Sequence, residues 1–140
     1  MNVSKRLVLV CNSHLDPVWL WPWEEGVAAT LATFRAAAQL CDEFDGFVFC
    51  HNEALLYQWV EEYEPALFER IRGLVAERRW HVMGGWYLQP DCNLPNGESF
   101  VRQILTGRRY FAEKFGVEPE SIPDYLALVE KEAATSAKVK

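Results

Sequence analysis

Apolar positions follow two rhythms along this chain. Three short runs are apolar almost without interruption: LVLVC at 7–11, FVFC at 47–50 and the segment Trp80–Met83. Elsewhere apolar residues recur every three or four positions, the spacing that places side chains on one face of a helix. Val27, Leu31, Phe34, Ala38 and Cys41 make the first such face. Leu56, Trp59, Val60 and Tyr63 make a second, and Leu67, Ile71 and Leu74 carry a third to about Arg78. Phe100, Ile104 and Phe111 make a fourth.

Punctuation residues fit these boundaries. Glu24 and Glu25 suit the first turn of the first helix, where the helix dipole favours negative charge. Asp45–Gly46 signals the turn into the second strand. Pro65 opens a new helix where its missing N–H costs nothing. Gly84–Gly85 is expected to end the third strand, Asn96 to cap the last helix and Gly116 to close it.

The order strand, helix, strand, helix, strand, helix predicts an α/β fold with parallel strands and right-handed helical crossovers. Three such strands leave open edges, so the pattern reads as the opening section of a barrel or large α/β sheet. Leu7–Cys11 is expected to be a buried strand. No internal repeat and no fourth strand is evident. Residues 119–140 differ in character: the middle suits one short helix, and the small, charged end is expected to fray.

Composition narrows the field. The chain has 140 residues, half of them hydrophobic, and a formal net charge of -6 from 20 acids and 14 bases. No basic stripe is present, which argues against nucleic acid as a partner. Lys5–Arg6 leads into only five apolar residues, too few for a signal-peptide core or a membrane span. Cys11, Cys41, Cys50 and Cys92 form no CxxC pair, and a reducing, cytoplasmic compartment is expected.

The chemistry concentrates where strands stop. His14 and Asp16 are two apart, so an extended segment turns both side chains to one side. They follow the carboxyl end of the first strand, where α/β proteins place ligands. An imidazole and a carboxylate together suit a borderline cation such as zinc. The alternative is a hydrogen-bonded histidine beside an aspartate that caps the next turn. Trp19, Trp21 and Trp23 crowd the same stretch. Trp19, nearest the pair, is the candidate for stacking on the C–H face of a sugar, while Trp21 and Trp23 suit ordinary packing. Asp91 follows the third strand and would reach the same rim, or else bond its own backbone in a turn. His51, Asn52 and Glu53 follow the second strand, and His51 equally suits a core position. Glu98 and Arg102 are spaced for a local ion pair.

The segments SHLDPVWLW at 13–21, HNEALLYQWVEEYEPALFERIRGLV at 51–75 and RRWHVMGGWYLQPDCNLPNGESFVRQ at 78–103 together resemble family 38 glycoside hydrolases, the class II α-mannosidases. The likeness runs from about Leu7 to Val117. It implies an N-terminal (β/α)7 barrel, of which this chain would be the opening portion. It also implies retaining hydrolysis of α-linked mannose. By the resemblance His14, Asp16 and Asp91 are ligands of a Zn2+ ion, or of another divalent cation. Asp91 is also the nucleophile, and Trp19 lies beneath the sugar. An ionised carboxylate must attack the anomeric carbon, and a second carboxylic acid must protonate the departing oxygen.

The likeness fades after FGVEPES. On this basis residues 1–118 are expected to be a partial catalytic domain and 119–140 a divergent tail. The late zinc histidine and the acid/base aspartate of the family belong to a missing C-terminal portion. Neither Glu53 nor Glu98 is assigned the proton donor's role. A truncated chain of this kind is expected to have little activity alone. The alternative readings are a non-catalytic remnant that binds metal or carbohydrate, and a different metal-dependent carbohydrate hydrolase such as a barrel deacetylase.

Overall fold

The computed structural model describes residues 9–121 and residue 127. In chain order the elements are β1 (Cys11–Asn12), α1 (Trp23–Glu43), β2 (Phe49–Glu53), α2 (Ala54–Tyr63), α3 (Pro65–Ala76), β3 (Trp80–Trp86) and α4 (Gly97–Phe115). The strands form one sheet in the order β1-β2-β3, and both pairings are parallel. Cys11 lies opposite Phe49, and Phe49 opposite Trp80. The described residues thus form a parallel sheet with flanking helices, three strands of an α/β arrangement rather than a closed barrel.

Helix boundaries obey their local chemistry. Glu24 and Glu25 occupy the first turn of α1, and Pro65 is the first residue of α3. The Asn96 side chain accepts the Ser99 N–H at 2.9 Å and caps α4. Gly116 ends α4 in the left-handed region, at φ 68°.

The strands depart from expectation in three ways. First, β1 is not buried. Leu7 and Val8 lie outside the described residues, and Leu9, Val10, Cys11 and Asn12 are exposed. Among the described residues β1 pairs on one side, with β2, so the apolar run gains cover there from one neighbour. Second, β2 and β3 are longer than their apolar runs. A step of two positions along β2 (His51 to Glu53) matches a step of four along β3 (Val82 to Trp86), so β3 carries a bulge. Gly84 and Gly85 supply it at φ 76° and 66°, conformations that cost other residues steric strain. The glycine pair bends the strand instead of ending it. Third, Glu120 forms an isolated parallel bridge with Met83 on the outer edge of β3, held by Glu120 N–H to the Val82 carbonyl and Gly84 N–H to the Glu120 carbonyl, both 2.8 Å. The expected short helix and frayed end fall largely outside the described residues.

The main core lies between the sheet and the helices. Phe34 and Cys41 of α1, Leu56 and Val60 of α2, Ile71 and Leu74 of α3 and Phe111 of α4 meet Phe49 and Trp80 of the sheet. Phe49 and Trp80 pack edge to face, with centroids 4.6 Å apart. Trp80 Nε1 donates to the Tyr57 hydroxyl at 2.8 Å, and that hydroxyl donates to the His51 carbonyl at 3.2 Å. The polar atoms of both buried rings are therefore satisfied.

Arg79 fastens the lower end of the sheet. Its guanidinium donates to the carbonyls of Phe47, Cys41 and Phe44. α1 has no basic residue in its last turn, and Arg79 takes up these carbonyls from across the fold.

Candidate functional site

The carboxyl ends of the strands open into a cleft of about 400 Å³. His14, Asp16 and Trp19 line one side, Glu53, Leu55 and Trp59 the floor, and Leu88, Gln89 and Asp91 the other side. A larger hollow of about 600 Å³ lies between α2 and α4, lined by residues such as Arg102, Arg109 and Glu113. It holds none of the candidate site residues, and chemistry rather than size selects the smaller cleft.

The segment from Ser13 to Pro22 is folded tightly onto α1. Gly26 permits this approach: a Cβ there would stand 2.0 Å from the Pro17 carbonyl oxygen. Trp21 Nε1 donates to the Asp16 carbonyl at 3.2 Å, and Trp23 packs against Trp59 at a centroid distance of 6.5 Å. Both rings thus serve packing and the local turn. Trp19 does not: 68% exposed, it leaves a flat apolar face at the cleft.

His14 Nε2 stands 3.3 Å from Asp16 Oδ1. Both side chains are substantially exposed, and both residues line the cleft. Asp91 lines the same cleft, but its Oδ1 accepts the Asn93 N–H at 2.7 Å. This is the turn that an aspartate forms with its own backbone. Among the described residues no group of three His, Cys, Asp or Glu side chains stands close enough to hold a metal ion. The donor set, one imidazole and two carboxylates, fits a borderline divalent cation in kind. In position, His14 and Asp16 are adjacent to one another and Asp91 shares only their cleft.

The backbone leading to Asp91 is held from two sides. Tyr87 N–H donates to the Gln103 carbonyl at 3.0 Å, and Leu88 N–H to Gln103 Oε1 at 2.8 Å. Gln89 N–H donates to Glu53 Oε1 at 3.0 Å. The Tyr87 carbonyl in turn accepts the Leu55 N–H at 2.9 Å.

Glu53 and His51 are strand residues, not members of a loop beyond the strand. His51 is fully buried and Glu53 is 2% exposed. The His51 Nδ1 accepts the Glu53 N–H at 3.4 Å, while Nε2 has no hydrogen-bond partner among the described residues. Burial pushes the His51 imidazole down to about 4 and raises the Glu53 carboxyl above its ordinary range. The Gln89 N–H acts against the second shift.

Sequence reasoning left Glu53 without a role. The signal available was period two: Phe49, His51 and Glu53 alternate along β2. Glu98 and Arg102 form the local ion pair their spacing implies, at 2.7 Å. Cys41 and Cys50 are buried free thiols, and Cys11 and Cys92 exposed ones. No helix among the described residues is long and apolar enough to cross a membrane.

Comparison with known proteins identifies the family of the chain. Residues 5–123 match the glycosyl hydrolases family 38 N-terminal domain. The chain is 37% identical over 111 residues to alpha-mannosidase G of Dictyostelium discoideum, covering 79% of this chain and 10% of that protein. It is 35% identical over 105 residues to human alpha-mannosidase 2C1, covering 75% of this chain and 10% of the relative. The crystal structure of an alpha-mannosidase from Enterococcus faecalis superposes with a TM-score of 0.71 at 24% identity, over 79% of this chain and 12% of that one, a likeness of fold. The chain thus spans about a tenth of the length of these curated relatives. With residues 5–123 matched, a range that includes the cleft residues at 14–19 and 91, the chain belongs to glycosyl hydrolase family 38, in the region of its N-terminal domain.

Proposed function

We propose that this chain supplies the nucleophile side of a retaining α-mannosidase. The observation that carries the reading is that His14, Asp16, Trp19 and Asp91 line one cleft at the carboxyl ends of parallel strands, in a chain of this family. The relatives' length makes the activity that of a longer polypeptide, in which residues 1–118 are part of the catalytic domain.

In this reading the Asp91 carboxylate attacks the anomeric carbon of an α-mannoside. A glycosyl-enzyme ester forms as the bond to the departing oxygen breaks. A carboxylic acid outside this chain gives its proton to that oxygen, then takes one from the water that cleaves the ester. Two displacements return the α configuration. Trp19 offers its face to the C–H side of the sugar. His14, Asp16 and Asp91 would hold a zinc ion, whose charge would orient sugar hydroxyls and favour ionised Asp91. Asp91 would release the Asn93 N–H or use its second oxygen to do so. The free thiols support a reducing, cytoplasmic setting.

Hydrolysis of an aryl α-mannoside by the full polypeptide tests the reading. The aryl alcohol departs as the ester forms, and the mannose then released is expected to be the α-anomer before it mutarotates. Asp91→Asn is expected to lower turnover by a factor of at least about 10³, because no other group forms the ester. Release of β-mannose, or an Asp91→Asn enzyme within tenfold of the parent, overturns it.

A further inference from the structure

A carboxylate in a sheet core needs a reason. Glu53 is 2% exposed, and desolvation makes such a side chain costly unless its oxygens are engaged. Phe49, four positions earlier in the same period-two series on β2, shows that this series includes a buried apolar ring. Glu53 is engaged by one group in particular, the Gln89 N–H, at 3.0 Å. That contact joins positions 36 apart in the chain. It also falls at a critical place, because Pro90 has no N–H and the next residue is Asp91. Gln89 therefore offers the last backbone donor before the nucleophile.

The two preceding donors, Tyr87 and Leu88, are held by Gln103 of α4. Gln103 fixes the segment from the helix side and Glu53 fixes it from the sheet side. Glu53 lines the same cleft as His14, Asp16 and Asp91, so a strand residue links the floor of the site to the segment bearing Asp91. We propose that Glu53 is a positioning residue that sets the place of Asp91 by holding the Gln89 N–H. The inference rests on the reading of Asp91 as nucleophile. Glu53 itself transfers no proton and touches no reacting atom. Its task is to be a hydrogen-bond acceptor at a fixed point on β2.

An acceptor role makes a specific demand: an amide oxygen should serve as well as a carboxylate oxygen. In the full polypeptide, assayed on an aryl α-mannoside, Glu53→Gln is expected to keep kcat and KM within about threefold of the parent. Glu53→Leu, which removes the acceptor, is expected to lower kcat by about 10²-fold with KM within threefold, the cost of a misplaced reacting group. Glu53→Asp keeps the charge but withdraws the oxygens by one methylene, and is expected to lose kcat as the leucine variant does. It decides the matter if the leucine variant fails to fold by circular dichroism.

Glu53→Gln as impaired as Glu53→Leu would mean that the charge or proton matters, and would overturn the proposal. So would Glu53→Leu or Glu53→Asp with parental kcat. Asp91→Asn is run beside them. If it abolishes turnover while Glu53→Leu and Glu53→Asp keep parental kcat, the nucleophile reading survives and only the Glu53 inference falls. If it leaves turnover intact, the nucleophile reading falls and the inference falls with it.

Discussion

His51 Nε2 lies 3.9 Å from Glu53 Oε2 inside the sheet, yet the two groups do not shift as an ion pair would. A pair of opposite charges would raise the imidazole and lower the carboxyl. Burial does the reverse to both. At neutral pH His51 is uncharged, and stability depends on its staying so. Unfolded, it takes a proton near pH 6.5, whereas folded it resists to about 4. The unfolded state therefore binds more protons in that window. Stability from this residue is present above 6.5 and is lost as pH falls toward 4, by roughly 3 kcal/mol. The raised Glu53 carboxyl acts with opposite sign, lowering stability as pH rises above its unfolded value. Urea unfolding of the parent and of His51→Phe at pH 7.5 and pH 4.5 separates the two. The parent is expected to lose more stability on acidification than the variant.

Zinc titration by calorimetry tests the cleft's donors. His14→Ala is expected to weaken binding by at least about tenfold, since loss of even an outer-shell partner commonly costs that much. Equal affinity in parent and variant would remove His14 from the ligand set.

The two tryptophans Trp19 and Trp80 are expected to behave oppositely. Trp19 is mostly exposed, so Trp19→Ala should change unfolding free energy by no more than about 0.5 kcal/mol. Its effect should appear as a raised KM for an α-mannoside. Trp80 is buried and donates to the Tyr57 hydroxyl. Trp80→Ala should cost about 3–5 kcal/mol. Denaturant titrations of the two variants provide the comparison.

Gly26 and Gly46 give a matched pair. A methyl group on Gly26 would collide with the Pro17 carbonyl, whereas one on Gly46 meets nothing within 4 Å. Gly26→Ala is expected to destabilise by about 1–3 kcal/mol and to displace the segment bearing His14 and Asp16. Gly46→Ala should be neutral or slightly stabilising, through a less flexible unfolded chain. Thermal unfolding of both variants checks the difference.

Helix ends were legible because their signals are local. Asn96, Pro65 and Gly116 act on atoms within a few residues of themselves. Parallel pairing was legible from the alternation of short runs with helical faces. Strand lengths were not, because the apolar run of β2 stops at Cys50 while the strand continues through a buried histidine and glutamate. β1 misled in the other direction: its run is apolar, but burial depends on neighbours that no local pattern reports. In the cleft, the residue types at 14, 16 and 91 suggested ligands, and the resemblance assigned their roles. The Glu53 contact depends on a backbone donor 36 positions away in the chain, a long-range event without a local trace.

Arg79 divides the labour of this sheet along its strands. It precedes β3 at the end opposite Asp91 and ties three carbonyls of the segment from α1 to β2. One rim is bolted by a single guanidinium, and the other carries the variable chemistry. Loops on the cleft side can vary while the bolt remains in place. Damage should sort the same way: lesions at Arg79 would appear as missing protein, and lesions at Asp91 as intact protein that no longer turns over.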